Sequence, residues 1–352
     1  MSDSIGRKTG PIRSVTLPTL LVVVTVSLSC GSSPGTAPAV DKVVLDYHGY
    51  SDCLELKNES TRVILCPQSG GRVLEYSWKG RHGLYLNPRD RGLTRDNDRG
   101  VEISAGRFDI GPELVVPAHP KLWSGRWEGE IIGPRTARLT SAPDKATGAQ
   151  LIREFRLDAQ SSHLSCRQTI VNVSSKTIPW CYWSRTFALG NGICVIPLTD
   201  NSRFPRNYVM YHSNGLIDCH PDDPNIRQRD GFLEILGVPR YPKLGMDTYA
   251  GWFAYLMRND LMFVKRFPTY PNRVYNEAAG LTLSIWYPAD RRVELEPIGP
   301  REHLPPGGRA SFQEDWWLLP QEFPATDAPL DLKAIARRVT RDAPANKIKS
   351  VK

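Results

Sequence analysis

The sequence consists largely of short runs of β-forming residues separated by Gly and Pro. The runs with this pattern are Cys53–Leu56, Thr61–Cys66, Arg72–Trp78, Leu84–Leu86, Ala137–Leu139, Gln150–Leu157, His163–Val173, Ile178–Phe187, Gly251–Met257, Leu261–Arg266, Leu281–Tyr287 and Val293–Ile298. Many short strands with turn signals, and no helices alternating with them, predict an all-β sandwich or barrel. Apolar residues recur at helical spacing only in Leu330–Thr340, which predicts one short C-terminal helix.

The β pattern runs from residue 41 to residue 325 without an internal repeat or a linker. The 29 Pro and 28 Gly residues of the chain are spread throughout it rather than collected in one segment. We therefore predict a single β domain over 41–325, followed by a short helix and a basic tail over 326–352.

Two long segments, Asn87–Trp127 and Thr199–Asp247, interrupt the strands. Both are rich in Gly, Pro, Asp and Arg and both contain aromatic residues. Long loops in a compact domain are commonly functional or disordered. We interpret these two as ordered, irregular loops that form a site.

The stretch Arg292–Pro297 alternates polar and apolar residues, as a half-buried strand does. Arg292, Glu294 and Glu296 therefore share one face, and Val293 and Leu295 share the other. Two carboxylates and a cation on one face are costly unless that face is solvated or binds a polar ligand. A Pro/Gly turn and a strand with two adjacent tryptophans follow, and sugars, which are polar but have apolar ring faces, suit such surroundings. The alternative is the solvated outer face of a sheet.

The N-terminal residues 1–30 have the features of an export signal. Three cations precede the apolar run Val15–Leu28, which is too short for a comfortable membrane span. The run ends at Ser-Leu-Ser-Cys, which resembles a bacterial lipoprotein signal with Cys30 as the lipidated residue. Residues 31–40 form a flexible tether. We expect a periplasmic or outer-membrane-anchored protein whose only membrane contact is this anchor; ordinary secretion and an uncleaved anchor are the alternatives.

The net charge of +8 belongs to the two ends of the chain. Residues 1–30 contain three cations and one Asp, and residues 333–352 contain seven cations and one Asp. The body between them is close to neutral, which argues against an extended nucleic-acid interface.

The body contains six cysteines besides Cys30, and the sequence leaves their pairing open. They are Cys53, Cys66, Cys166, Cys181, Cys194 and Cys219. An even number in an exported protein permits disulfides, and Cys53 and Cys66, which flank a predicted hairpin, are the favoured pair. Buried free thiols are the alternative.

Motifs for the commonest cofactor and hydrolase chemistries are missing from the sequence. It has no P-loop, no dinucleotide fingerprint and no H-E-x-x-H. His212, Asp218, His220 and Asp222 lie close in sequence, but their spacing fits no defined metal site. We therefore expect neither a metal nor a cofactor.

Several motifs in a fixed order carry a family resemblance that extends over about 50 to 320. They are Gly70–Val73, Gly106–Glu113, Thr169–Ser174 leading to Trp180–Trp183, Lys243–Gly245 with Gly251–Tyr255, and Glu294–Pro300 with Trp317. In this order they resemble the galactose mutarotase-like superfamily, and most closely an uncharacterised bacterial branch of the DUF4380 type. The resemblance implies a large antiparallel β-supersandwich that binds carbohydrate on a concave face.

Mutarotases use a Glu near the end of the domain as general base and a His as general acid, and Glu294 or Glu296 matches the Glu in order along the chain. The run Trp180–Thr186, where the family has its catalytic His, contains no His. It offers Arg185 instead, a cation suited to a ligand carboxylate or hydroxyl. The remaining predicted substrate-binding residues are Arg107, Glu113, His119, Trp123, Lys243 and Lys265.

Each of these residues also has an ordinary structural interpretation. Arg107 and Glu113 could form a local ion pair, His119 could be a merely exposed loop residue, and the lysines could lie on the surface. Most tryptophans belong to the core in ordinary proteins.

The sequence thus favours an exported, lipid-anchored carbohydrate-binding β-supersandwich whose ligand is a mono- or oligosaccharide. The second hypothesis is an aldose 1-epimerase-type isomerase with Glu294 or Glu296 as base and no assigned acid. A domain associated with polysaccharide lyases or glycosidases, and a structural envelope protein without a ligand, are the other hypotheses.

Overall fold

The computed structural model describes residues 44–95, 104–325 and 329–345, and their regular structure consists mainly of antiparallel strands. In chain order the strands are β1 (Val44–Tyr47), β2 (Tyr50–Lys57), β3 (Thr61–Cys66), β4 (Arg72–Trp78), β5 (Arg81–His82), β6 (Phe108–Gly111), β7 (Trp127–Gly133), β8 (Thr136–Ser141), β9 (Ala149–Leu157), β10 (Leu164–Asn172), β11 (Cys181–Ser184), β12 (Thr186–Leu189), β13 (Ile193–Pro197), β14 (Val209–Tyr211), β15 (Ile217–Asp218), β16 (Ile226–Arg229), β17 (Phe232–Ile235), β18 (Lys243–Met246), β19 (Trp252–Met257), β20 (Leu261–Arg266), β21 (Leu283–Trp286), β22 (Arg292–Pro297) and β23 (Arg309–Pro320). The helices are α1 (Pro120–Trp123) and α2 (Leu332–Asp342), with 3₁₀ turns at Pro88–Asp90 and Ala278–Gly280.

The strands form four sheets. The large sheet has ten strands in the order β16-β17-β13-β19-β20-β23-β10-β9-β8-β7. A six-stranded sheet has the order β12-β22-β21-β18-β14-β15, a five-stranded sheet runs from β1 to β5, and β6 pairs with β11. The predicted all-β sandwich is therefore confirmed.

Period-two alternation places the main core between the large sheet and the smaller ones. In β9, for example, Ala149, Leu151, Phe155 and Leu157 point inward and are buried. They pack in one apolar cluster with inner-face residues of the six-stranded sheet such as Leu295. The opposite, outer face of the six-stranded sheet does not belong to this core.

The C-terminal helix α2 covers the outer face of the large sheet. Asp331 caps it by accepting a hydrogen bond from the Ala334 backbone N–H at 2.8 Å. Leu332, Ile335 and Val339 are buried against apolar residues on β13, β19, β20 and β23. This is the helix that the sequence predicted, displaced by two residues at each end.

The two segments predicted as irregular contain regular structure. Thr199–Asp247 contains the five strands β14 to β18, and Asn87–Trp127 contains β6, α1 and the first residue of β7. The prediction of irregular loops is wrong for these parts, because short strands with polar residues on one face carry too little alternation to be recognised.

All six cysteines within the described residues are free thiols. Cys53 and Cys66 lie on paired strands and share a small apolar cluster. Cys30 and the predicted signal lie outside the described residues. Within the described parts of the chain, no helix is long and apolar enough to cross a membrane.

Candidate functional site

The outer face of the six-stranded sheet carries a row of large and charged side chains. Strand register places Phe187 opposite Glu294, Glu294 opposite Trp286, Trp286 opposite Lys243 and Lys243 opposite Tyr211. Side chains opposite one another on a sheet face are direct neighbours. One row therefore combines a carboxylate and an ammonium group with three aromatic rings.

The faces of β22 are those that the sequence predicted. Val293 and Leu295 are fully buried in the main core, whereas Glu294 and Glu296 extend from the opposite face. Both carboxylates are nevertheless almost fully shielded from solvent, with exposures of 2% and 0%. Neighbouring cations and rings cover them, so this face is not the freely solvated surface of the alternative interpretation.

Glu294 is held by two arginines that use the same oxygen. Arg107 Nη2 donates to Glu294 Oε1 at 2.5 Å, and Arg185 Nε donates to the same Oε1 at 3.1 Å. Among the described residues no donor contacts Glu294 Oε2. The carboxylate is thus fixed in place with one acceptor atom that no residue of the described ranges uses.

Glu296 is saturated by its neighbours. Lys243 Nζ donates to Oε1 at 2.8 Å and to Oε2 at 2.7 Å, and Trp183 Nε1 donates to Oε2 at 2.8 Å. Glu296 therefore fixes the Trp183 ring and the Lys243 ammonium, and a ligand could reach it only by displacing one of them.

The two carboxyl groups differ in acidity. Burial raises the pKa of Glu294, but Arg185 and Arg107 outweigh it and lower the pKa to about 2. Burial raises the pKa of Glu296 to about 7, an effect that Lys243 opposes and the charge of Glu294 reinforces. Glu294 is therefore a permanent anion near neutral pH.

Glu294 opens into a cavity of about 390 Å³, here called the Glu294 cavity. Its other lining residues are Glu113, Leu114, Trp183, Arg185, Tyr211, Gly215, Ile217, Lys243, Glu277, Ala278, Leu281, Ser284 and Trp286. Aromatic walls with a few convergent polar groups are typical of small-ligand sites, and the volume lies in their usual range of roughly 300–1,000 Å³.

A second cavity of about 370 Å³, here called the His119 cavity, adjoins the first. It is lined by Asp109, Ile110, Glu113, Val116, Pro117, Ala118, His119, Pro120, Trp123, Trp183 and Arg185. Three residues, Glu113, Trp183 and Arg185, line both cavities. They form a common wall that we call the shared wall.

His119 is engaged at both ring nitrogens. Nε2 lies 2.7 Å from Asp109 Oδ1, and Nδ1 lies 2.6 Å from the Pro117 carbonyl oxygen. Since both partners are acceptors, the ring satisfies them together only as an imidazolium that donates from both nitrogens. Burial lowers the pKa of His119, but Asp109 outweighs it and raises the pKa above its usual value. His119 is thus in the site but has no proton free for a ligand.

The structure brings most of the predicted residues together. Trp123 contributes a ring to the His119 cavity, and the guanidinium carbons of Arg107 and Arg185 lie 4.7 and 5.2 Å from its centroid. Arg107 is 1% exposed and supports Glu294 from behind rather than lining a cavity. Glu113 is 43% exposed at its side chain, and its Oε1 lies 3.5 Å from Arg185 Nη2.

Lys265 lies elsewhere, which corrects its prediction as a substrate-binding residue. Its ammonium is fully enclosed between the sheets, 2.9 Å from Glu314 Oε2 and within hydrogen-bond distance of the Ser184 and Thr186 hydroxyls. It lies on the inner face of β20, because the alternation there places Phe263 and Lys265 toward the core.

Sequence reasoning missed several polar residues of the two cavities, among them Asp109, Tyr211 and Glu277. Glu277 accepts a hydrogen bond from the Glu113 backbone N–H at 2.8 Å, and burial raises its pKa. Asp109 lies within the motif Gly106–Glu113, but its role depends on the contact with His119. Neither Tyr211 nor Glu277 lies in a recognisable pattern, since only the fold places them beside Glu294.

The residues His212, Asp218, His220 and Asp222, which lie close in sequence, do not converge on one point in the structure. His212 Nε2 lies 3.8 Å from Asp218 Oδ2, and within the described residues no three His, Cys, Asp or Glu side chains are grouped to hold an ion.

No family model matches the chain, and no curated protein matches it in sequence. Solved structures do share its architecture. They include the Slr1438 protein from Synechocystis (TM-score 0.53, 17% identity, 76% of this chain and 96% of that one). Another match is an Escherichia coli protein described as a candidate aldose 1-epimerase, with a TM-score of 0.53 and 11% identity, over 76% of this chain and 99% of that one.

A galactose mutarotase-like protein from Lactobacillus casei matches with a TM-score of 0.53 and 10% identity, over 76% of this chain and 100% of that one. The fold is galactose mutarotase-like. The predicted supersandwich with a short C-terminal helix is thereby confirmed, whereas identities this low establish the fold alone.

Proposed function

We propose that the protein binds carbohydrate in the Glu294 cavity. The observation that carries the proposal is the unused Oε2 of Glu294, held beside Trp286 in a cavity that is walled by aromatic rings. A fixed carboxylate oxygen accepts hydrogen bonds from sugar hydroxyls, and an aromatic ring packs against the apolar face of a pyranose.

The remaining polar groups of the cavity suit the same ligand. Arg185 and Lys243 present donors, and Glu113 and Glu277 present further oxygen atoms. A sugar hydroxyl is both donor and acceptor, so a cavity with both kinds of partner fits it better than it fits an apolar ligand.

A thermal-shift screen of the full chain against monosaccharides, oligosaccharides and uronic acids tests the proposal. A ligand at about 100 times its dissociation constant adds about 2.7 kcal/mol to the free energy of unfolding. We expect a shift with at least one neutral sugar, and its loss in Glu294→Gln. Glu128→Gln, which changes an exposed carboxylate on β7, is the control. No shift with any saccharide would overturn the proposal and favour a structural envelope role.

A second candidate function is an aldose 1-epimerase-type isomerase. What supports it is a pair of carboxyl groups of different acidity in one cavity: Glu294, whose pKa is lowered, and Glu277, whose pKa burial raises. Such a difference is typical of acid–base pairs. Glu294 would then remove the anomeric hydroxyl proton, and Glu277 would donate one to the ring oxygen.

Anomer interconversion of the sugar found in the screen, followed by polarimetry or NMR, separates the two functions. An isomerase should exceed the spontaneous rate, and Glu277→Gln should abolish the excess while sugar affinity changes little. A rate equal to the spontaneous one leaves a binding protein.

We also propose that the protein is exported, anchored by lipid at Cys30, and a member of the DUF4380-type branch. The apolar run that ends at Cys30 supports the anchor, and the order of motifs supports the branch. Metabolic labelling with radioactive palmitate in a bacterial host should label the wild type but not Cys30→Ala. Equal labelling of both would contradict the anchor.

A further inference from the structure

The two cavities are built alike. Each contains a carboxylate with one engaged and one unused oxygen, an aromatic ring of its own and a surface on the shared wall. In the Glu294 cavity the carboxylate is Glu294 and the ring is Trp286. In the His119 cavity they are Asp109 and Trp123.

Asp109 repeats the arrangement of Glu294. Its Oδ1 accepts from the Ile110 backbone N–H at 2.8 Å and from His119 at 2.7 Å. Among the described residues no donor contacts Asp109 Oδ2. The imidazolium of His119 fixes the carboxylate just as the two arginines fix Glu294.

The shared wall suits the junction between two sugar units. Trp183 is fixed by its hydrogen bond to Glu296, and the Arg185 guanidinium carbon lies 4.7 Å from its ring centroid. Arg185 uses Nε for Glu294, and its Nη2 lies 3.5 Å from Glu113 Oε1 at the exposed rim of the shared wall, while within the described residues its Nη1 donates no hydrogen bond to protein. Donors at that point can meet the linking oxygen and the hydroxyls on either side of it.

From this geometry we infer that the natural ligand is an oligosaccharide of at least two units, with one unit in each cavity and the glycosidic linkage at Arg185. The inference rests on the proposed carbohydrate function and specifies its substrate class. A ligand confined to one cavity would contact the shared wall from one side only. A ligand that spans both cavities can use all the polar groups of the shared wall.

Titration calorimetry of the full chain with glucose, galactose, cellobiose, maltose and lactose tests the inference. We expect one disaccharide to bind with a stoichiometry of one and at least about tenfold more tightly than its component monosaccharides, the effect of roughly 1.4 kcal/mol of added contacts. Equal affinities, or two disaccharides per chain, would overturn it.

Ala118→Phe fills the His119 cavity from an exposed position and leaves the Glu294 cavity unchanged. It should reduce disaccharide affinity to the monosaccharide level without altering monosaccharide affinity. Ala159→Phe, an exposed position outside both cavities, is the matched control. Undiminished disaccharide binding by Ala118→Phe would contradict the second subsite alone. No binding of any of the five sugars would contradict the proposed function as well.

Discussion

Two buried glutamates on different sheets, Glu314 on β23 of the large sheet and Glu294 on β22 of the six-stranded sheet, differ in how completely the fold uses them. Glu314, inside the sandwich, uses both oxygens: Tyr182 donates to Oε1 at 2.5 Å, and Trp316 Nε1 and Lys265 lie 2.7 and 2.9 Å from Oε2. Glu294, on the outer face, receives both of its donors at Oε1. One carboxylate is completed by the fold, whereas the other keeps an acceptor for something else.

The difference lies in what surrounds the two ion pairs. Lys265 and Glu314 are both 0% exposed at their side chains, and burial lowers the pKa of Lys265. Glu294 has one partner that is similarly buried, Arg107 at 1%, and a second partner, Arg185, that is 19% exposed and faces both cavities. An ion pair that is closed to solvent contributes only to the packing of the fold. An ion pair that faces a cavity and has an acceptor atom left over is available to a ligand.

The largest expected effect is on stability, from Glu314→Gln. It leaves the Lys265 ammonium buried without its counter-charge, which should cost about 3–5 kcal/mol. The midpoint of urea denaturation measures it, with Glu128→Gln as the exposed control. A loss of less than about 1 kcal/mol in the free energy of unfolding would contradict the description of a buried, fully paired carboxylate.

Glu294→Gln should destabilise the fold less, by about 1–3 kcal/mol, because Arg185 is in contact with cavity solvent. Arg107 keeps its hydrogen bond to the Arg185 carbonyl oxygen at 3.0 Å and its place against Trp123 and Phe187. The same denaturation experiment gives the comparison. A cost above that of Glu314→Gln would reverse the roles assigned to the two glutamates.

Trp183→Phe tests the shared wall. The substitution keeps an aromatic ring but removes the Nε1–H that donates to Glu296, which should cost about 1 kcal/mol of stability. Sugar affinity, measured by calorimetry, should fall for mono- and disaccharides alike. Trp252→Phe, on the outer face of the large sheet, is the control, and equal effects of the two changes on affinity would argue against the wall.

The smallest effect is the pH dependence contributed by His119. Its pKa is higher in the folded protein than the ordinary value of 6.5, because the hydrogen bond to Asp109 outweighs burial. The pair therefore stabilises the fold fully below pH 6.5, and the contribution disappears as the pH rises through the elevated pKa. We expect this contribution to the free energy of unfolding to be at most about 1 kcal/mol. The melting temperature of the wild type should therefore exceed that of His119→Gln by less at pH 9 than at pH 6. An advantage that grows with pH would contradict this.

The alternation in β22 was enough to predict both the strand and the face that carries Glu294 and Glu296. The pattern is local, and a period of two survives in any antiparallel sheet. The helix over Leu332–Asp342 was predictable for the same reason, because its buried residues lie at helical spacing. Arg185 was predictable because it lies in the run Trp180–Thr186, where the family that the chain resembles has its catalytic His.

Other parts of the site depend on contacts that no local pattern encodes. Lys265 has the same sequence surroundings as a surface lysine beside an aromatic strand, yet its partner Glu314 is a neighbour only after β20 and β23 pair. Glu277 reaches the site through an irregular connection after β20. The difference between Glu294 and Glu296 also required atomic positions, since it depends on which oxygen each donor contacts.

In the function proposed above, Glu294 binds the sugar through its own position, and not merely because it is a buried carboxylate. The most direct test is calorimetry with the tightest-binding neutral saccharide of the screen, on Glu294→Gln and Glu314→Gln at a temperature where both remain folded. We expect the first change to raise the dissociation constant at least about tenfold, the value of a charge-assisted hydrogen bond, and the second to leave it nearly unaltered. Equal dissociation constants in the two variants would contradict it.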